Sequence, residues 1–325
     1  MLFYDRSLVG WYIKCSFMFS IIKKIISSKI FKLIFSAVLI YFAFSKVGFS
    51  KVLVELAQVP IWFVLAMVLY YGMATFVGSF RWISLLFDRP SLRQTWDFTK
   101  ASYIGAFYGL FLPVGMAGDL FKWLPLQKKY KEIKKARMWS SILLDRIVGF
   151  TAFILVAFIS SLIGLKMGIN FPHYLIYVFG ALFLGTVLFY VLVYSFDVVA
   201  FVERIPVVKK IVPLMDLLKK ENKKRLFKCL VIALVTEFAW FTPIWFISLI
   251  LGAGMSLVSI YIIIPIVSLV LLLPISIAGF GAREQLFLFF FVQMGLDPSK
   301  VLAVSTLNGI FMIINSLMGG VFTLF

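Results

Sequence analysis

The chain has 325 residues, of which 62% are hydrophobic and only 14% are charged. Soluble domains carry about 45–50% apolar and about 25% charged residues, so this composition excludes a soluble protein and predicts an all-α polytopic membrane protein. The formal net charge of +18 would suggest nucleic acid in a soluble protein. Here the lysines and arginines gather between apolar runs, as in the cytoplasmic loops of membrane proteins, and we expect no nucleic-acid partner.

The N-terminal residues 1–29 mix aromatic side chains with lysines and lack the cleavage site of a signal peptide. They are predicted to form a basic amphipathic segment on the inner leaflet, with a disordered basic leader as the alternative. Residues 30–325 are predicted to form a single transmembrane domain. Six apolar runs in it are long enough to span a bilayer: 30–49, 59–87, 138–165, 173–196, 229–251 and 301–325.

Two further apolar runs, 101–121 and 257–294, are interrupted by proline and glycine. The linkers 122–137 and 197–228 are the most basic in the chain, which places them in the cytoplasm of a cell-membrane protein together with both termini. Tracing the spans then leaves both ends of run 101–121 on the cytoplasmic face, so this run is predicted to be a re-entrant hairpin. For the second run, a hairpin from the outer face competes with a full span over 257–279 followed by a short helix.

Both interrupted runs contain the pattern LPxxxAG, in which the prolines are Pro113 and Pro274. The flanking spans recur at a similar offset, which predicts two pseudo-repeats, 30–165 and 173–325. Each repeat would cross the membrane an odd number of times, so the second copy would be inverted. Inverted repeats with broken helices are typical of secondary transporters, whose binding site lies near the bilayer midplane.

A helix is predicted to restart after each break, at Asp119 and near Ala282, with its first N–H groups directed into a polar cavity. These amides suit a phosphate, although Asp119 and Glu284 could instead simply cap the two helices.

Charged residues inside apolar runs are costly and usually face a cavity or pair with each other. We expect Arg81 to extend to the inner interface, and the Asp145–Arg146 pair to form either a structural ion pair or a substrate contact. A functional role is favoured for Glu237 and for the Arg283–Glu284 pair.

No catalytic constellation is present in the sequence, which has one histidine and two cysteines. It offers no Ser-His-Asp set, no acidic cluster with metal-ligand spacing and no P-loop. We therefore expect no enzymatic activity, cofactor or metal, and keep a membrane-embedded transferase acting on a lipid headgroup as a minor alternative.

Three motifs occur together along the chain: Leu112-Pro113 through Gly118-Asp119, Asp145-Arg146-x-x-Gly149, and Leu273-Pro274 through Gly279-Phe280-Gly281-Ala282-Arg283-Glu284. They resemble a flippase-like membrane family that includes the transmembrane half of bacterial lysylphosphatidylglycerol synthases, the multiple peptide resistance factors. Related halves accompany some archaeal glycosyltransferases. The chain departs from the family pattern at Met116-Ala117, where Gly-Gly is common, and at Lys122, where Arg is common. We do not expect the cytoplasmic catalytic domain of the synthases in this chain.

The resemblance implies a transporter that moves a phospholipid or lipid-linked headgroup between leaflets. The alternative is a membrane scaffold or partner subunit of a lipid-modifying or glycosyl-transferring enzyme. Expected partners are membrane lipids with anionic or lipid-linked headgroups, and a homodimer and a partner enzyme both stay open. Basic residues would hold a phosphate, and acidic residues would meet an amine. The predicted substrate-binding residues are Pro113, Gly115, Gly118, Asp119, Lys122, Asp145, Arg146, Glu237, Pro274, Gly279, Gly281, Arg283 and Glu284.

Overall fold

The computed structural model describes residues 49–111, 118–195, 221–273 and 279–323, together with residues 38, 41, 42, 45, 218, 219 and 276. The predictions for residues 1–29 and for most of span 30–49 fall outside the described residues. The same is true of Pro113, Gly115 and Pro274, and of the side chain of Asp119.

Ten α-helices follow one another in the described part of the chain. They are α1 (Phe49–Ala57), α2 (Ile61–Ser84), α3 (Leu92–Phe111), α4 (Asp119–Lys129), α5 (Lys135–Lys166), α6 (Tyr174–Ser195), α7 (Lys223–Ile250), α8 (Leu257–Leu271), α9 (Ala282–Gln293) and α10 (Pro298–Thr323). Because lipid offers the backbone no hydrogen bonds, apolar runs of this length satisfy their N–H and C=O groups as helices.

Five of these helices, α2, α5, α6, α7 and α10, are long and apolar enough to cross a membrane. They overlap five of the six predicted spans, which confirms an all-α, multi-pass membrane protein. Helix α8 has 15 residues, a length of roughly 22 Å, which is short for a hydrocarbon core of about 30 Å. The chain therefore does not continue as one helix over 257–279.

The first interrupted run folds as an antiparallel pair of helices, α3 and α4. At one end of the pair, Asp97 accepts hydrogen bonds from Lys129 Nζ and the Tyr130 hydroxyl, each at 2.7 Å. At the other end, a Cβ added to Gly118 would overlap the carbonyl oxygen of Gly105, so two glycines let the backbones touch. The pair packs on α10, where Gly319 fits against the backbone of Tyr103.

Helix α3 begins at Leu92, well before the apolar run that starts at residue 101. Tracing the spans predicts a cytoplasmic segment over residues 88–100, and the structure includes residues 92–100 in the helix. Ser91 and Gln94 form a reciprocal cap: the Gln94 amide donates to Ser91 Oγ, and the Ser91 amide donates to Gln94 Oε1. This capping box starts the helix within the polar stretch.

The second interrupted run also folds as two helices side by side, α8 and α9. Leu271, at the end of α8, lies against Gly279, and Gly254, before α8, lies against Leu296, just after α9. Contacts at both ends show that the two helices are antiparallel. They join α2, α5, α7 and α10 in the largest buried core, which includes Tyr71, Ile263 and Phe291. Helix α6 lies at the periphery and packs mainly on α5.

Candidate functional site

A cavity of about 420 Å³ lies among α2, α3, α4, α5, α7, α9 and α10. Its charged lining consists of four basic side chains and one acidic one: Arg81, Lys122, Arg146, Arg283 and Asp145. The four cations come from four different helices, so the tertiary fold concentrates positive charge at one point. A concave site of this kind attracts an anion. We call it the cationic cavity.

Arg81 and Asp145 form a bidentate pair, with Nε to Oδ1 at 2.7 Å and Nη2 to Oδ2 at 3.1 Å. The Arg81 side chain is only 13% exposed. The expectation that Arg81 extends to the inner interface is therefore wrong. Gly149, one turn after Asp145 on α5, leaves room for the guanidinium, since a Cβ there would lie 3.4 Å from Arg81 Cζ. This contact gives the Asp145-Arg146-x-x-Gly149 motif a physical reason.

Lys122 is buried on α4, and its Nζ lies 4.6 Å from the centre of the Trp82 ring. The indole is fixed in turn by a hydrogen bond of 3.0 Å from its Nε1 to Ser141 Oγ. Gly105 makes the approach of α4 feasible, because a Cβ at this position would lie 3.0 Å from Lys122 Cβ. A cation–π contact of this type holds an ammonium group in an environment with little water.

Arg283 and Glu284 stand at the start of α9, directly after Gly281, whose φ is +77°. The Gly281 amide donates to Glu284 Oε2 at 2.6 Å, and Arg283 Nη2 donates to Glu284 Oε1 at 2.9 Å. Glu284 thus caps the helix, one of the two roles considered for it, and also carries the counter-charge of Arg283. The guanidinium lies over Gly309 of α10, where a Cβ would be 2.7 Å from Arg283 Cζ.

Two further cavities share walls with the cationic cavity. One, of about 440 Å³, shares Trp240, Arg283 and Met312 with it and is also lined by Glu237 and Gly279. The other, of about 700 Å³, lies mainly between α5 and α6 and has mostly apolar walls. We call it the apolar cavity. It shares three charged residues with the cationic cavity, Arg81, Asp145 and Arg146, and it also touches Glu237.

The structure groups most of the described candidates. Gly118, Lys122, Asp145, Arg146 and Arg283 line the cationic cavity. Glu237 and Gly279 line the adjoining cavity of about 440 Å³, while Gly281 and Glu284 support Arg283 from behind. Helix α4 begins at Asp119, as predicted. Whether these residues bind substrate stays a prediction.

Two asparagines on α10 complete the polar lining and were not anticipated from the sequence. Asn308 Oδ1 accepts a hydrogen bond of 2.6 Å from the Tyr71 hydroxyl, and Asn315 Nδ2 donates one of 3.1 Å to Thr75 Oγ1. They are seven positions apart in an apolar run, hence on one face of the helix, and this spacing is the signal that could have revealed them. Both bonds attach α10 to α2 beside the cavities.

Comparison with known proteins supplies the family. No curated protein and no solved structure matches the chain. The family described as "Lysylphosphatidylglycerol synthase TM region" matches residues 29–319, which is most of the chain. The matched region corresponds to the transmembrane part of such synthases. The chain therefore belongs to the lysylphosphatidylglycerol synthase TM region family.

Proposed function

We propose that this protein moves a phospholipid or a lipid-linked headgroup between the two leaflets of the cell membrane. The observation that supports this best is the shared wall between the cationic cavity and the apolar cavity. Arg81, Asp145 and Arg146 belong to both. A ligand that fits such a pair of cavities has a negative headgroup joined to long apolar chains, which describes an anionic lipid.

The headgroup phosphate would lie in the cationic cavity beside Arg146, Lys122 and Arg283. Arg283 and Arg81 are buried in ion pairs with Glu284 and Asp145. The Arg146 side chain is exposed on α5 where the two cavities meet, so it can reach a headgroup from either cavity. A guanidinium binds a phosphate through two parallel hydrogen bonds. Arg146 is therefore the residue that we expect to contribute most to headgroup binding.

The acyl chains would remain in the apolar cavity, whose walls include Phe150, Ile154, Leu182 and Phe189. Helix α6 is peripheral, so the apolar cavity between α5 and α6 lies at the edge of the protein, where an acyl chain can enter. The lipid could then turn over without drawing its hydrocarbon through the polar centre of the protein.

The two antiparallel helix pairs, α3–α4 and α8–α9, support a transport cycle. We propose that each pair is a re-entrant hairpin, that the pairs enter from opposite faces, and that both termini are cytoplasmic. Residues 30–165 and 173–325 would then be inverted repeats within one domain. Rocking of one repeat against the other would expose the cavities alternately to each leaflet.

Leaflet exchange in proteoliposomes tests the proposal. Fluorescent phosphatidylglycerol would be added to both leaflets, and a membrane-impermeant quencher would report the fraction that exchanges. We expect Arg146→Gln to slow exchange about tenfold or more, the effect of losing a hydrogen bond to a charged group. The matched control is Lys166→Gln, which removes an exposed cation from the last turn of the same helix. It should exchange lipid like the wild type.

A second variant tests Arg283 while keeping the α9 cap. In the double variant Arg283→Met and Glu284→Gln, the glutamine still accepts a hydrogen bond from the Gly281 amide, and no buried charge loses its partner. Slow exchange in this variant would assign Arg283 to the headgroup site, and wild-type exchange would remove it. No exchange by the wild type with any headgroup would favour the scaffold or partner-subunit alternative.

A further inference from the structure

Glu237 differs from the other carboxylates at the depth of the cavities. It lies near the middle of α7, roughly 20 Å along the helix from either end. Asp145 is bound by Arg81, and Glu284 is bound by Arg283 and the Gly281 amide. Within the residues that the structure describes, the Glu237 carboxylate forms neither a hydrogen bond nor an ion pair.

The neighbouring helices bring several titratable or charged groups toward Glu237. From α2 come Tyr71 and Arg81, from α5 Asp145 and Arg146, from α8 Tyr261, and from α9 Arg283, while Tyr70 of α2 lies near Tyr261. The α10 residue in the same cavity is the uncharged Asn308. Arg81 is bound to Asp145 and Arg283 is bound to Glu284, so neither forms an ion pair with Glu237.

An ionised carboxylate without a partner is costly at membrane depth, because the low dielectric does not stabilise its charge. Such a group becomes neutral by binding a proton, or it binds a cation that enters the site. The lining near Glu237 includes no group of His, Cys, Asp or Glu side chains that could hold a metal ion, among the residues that can be described. A proton is the smallest cation that meets the requirement.

The position of Glu237 ties this proton to the passage of lipid. The residue belongs to both the apolar cavity and the cavity of about 440 Å³ that also contains Arg283. A phosphate moving from Arg146 to Arg283 through these two cavities would pass Glu237. Two negative charges repel strongly in such surroundings, so the phosphate can pass only when Glu237 is neutral.

We propose that Glu237 is a proton-binding site on the transport path, so that one proton crosses the membrane with each anionic headgroup. This inference rests on the proposed function. The proton binds to a carboxylate oxygen of Glu237 from the water on one side and leaves to the water on the other side. No bond of the lipid is made or broken. The proton and the headgroup phosphate cross together without net charge, so no work is needed to move a net charge across the membrane.

Infrared difference spectroscopy tests the proton site without any transport. The purified full chain in phosphatidylcholine vesicles would be titrated between about pH 5 and 9, a range that covers buried carboxyl groups. We expect a C=O stretching band of a protonated carboxylic acid in the wild type and its loss in Glu237→Gln. The control is Glu132→Gln, an exposed carboxylate in the turn after α4. An identical band in wild type and Glu237→Gln would overturn the inference.

Transport against a pH gradient tests the coupling. With the outside more acidic by about one unit, one coupled proton can enrich labelled phosphatidylglycerol in the inner leaflet up to about tenfold. We expect enrichment by the wild type and by Glu237→Asp, which keeps a titratable group. Glu237→Gln, which cannot bind or release a proton, should show no enrichment. If glutamine impairs folding, Glu237→Asp still tests the site, because the carboxylic acid band should shift in frequency when the titrating side chain is changed, and an unshifted band would overturn the inference.

Three outcomes would contradict the inference. Wild-type lipid exchange that does not respond to the pH gradient would contradict the proton site but would be consistent with lipid translocation. No exchange by the wild type under any condition would refute translocation and proton coupling together. Loss of exchange in Glu237→Gln for phosphatidylethanolamine, with phosphatidylglycerol unaffected, would show that Glu237 binds the amine of a headgroup and not a proton.

Discussion

Replacing Gly309 by alanine is the most direct test of how Arg283 is held. The added Cβ would overlap Nη2 of Arg283 and lie 2.7 Å from its Cζ. Carbon atoms in contact lie about 3.5–4.0 Å apart, so the guanidinium would have to retreat by about 1 Å. Such a movement stretches the bond of 2.9 Å from Nη2 to Glu284 Oε1 beyond hydrogen-bonding distance.

Two opposing terms set the size of the effect. Loss of a buried hydrogen bond between charged groups costs about 1.5–3 kcal/mol. Alanine in place of glycine inside a helix stabilises by about 0.8–1 kcal/mol. We therefore expect Gly309→Ala to lower the free energy of unfolding by about 0.5–2 kcal/mol, in spite of its better helix propensity.

Reversible unfolding of the purified protein in lipid bicelles would measure this difference. Gly185→Ala on α6 is the matched control, because a Cβ there meets nothing within 4 Å. It should be neutral or stabilising by up to about 1 kcal/mol, as expected from helix propensity alone. If Gly309→Ala is as stable as Gly185→Ala, the packing of Arg283 on α10 does not constrain the guanidinium and the reasoning is refuted.

Two other predictions concern ion pairs. Asp145→Asn leaves Arg81 buried without its partner and should lower the free energy of unfolding by about 3–5 kcal/mol, whereas the double variant with Arg81→Gln should recover part of this loss in the same assay. The second prediction concerns the loss of folding stability at low pH. Hydrogen bonds from Arg225 lower the pKa of Asp88. Burial alone would raise the pKa of Glu221, but Arg137 and Arg225 outweigh it and the pKa is lowered. Folding therefore releases protons from both groups. The contribution of Asp88 and Glu221 to the stability of the folded protein is complete above about pH 5 and is lost as the pH falls through their folded-state pKa values. Thermal unfolding between about pH 3 and 7 should show a steeper acid loss in the wild type than in Arg225→Gln, and equal slopes would contradict this assignment.

The apolar spans and the helix starts that follow their interruptions could be predicted well from the sequence. Apolar runs of about 20 residues must be helical in lipid, since only a helix satisfies its own backbone there. Five predicted spans accordingly overlap five helices. The helix starts at Asp119 and Ala282 were also readable, because each follows a glycine that ends the preceding apolar run. The start of α3 was missed because its cap, Ser91 with Gln94, lies in polar sequence where hydropathy is uninformative.

By itself, then, the sequence determined that this protein lies in a membrane, that its fold is helical, which family motifs it carries and which charged residues lie in its apolar runs. Only the tertiary structure decided which of those charges meet. Arg81 pairs with a residue 64 positions away, and Tyr71 with one 237 positions away. Hydropathy does not say which side of an apolar helix faces which neighbour. That choice depends on how closely helices can pack, and at Gly149 and Gly309 the missing side chain leaves the space in which an arginine can turn inward rather than outward.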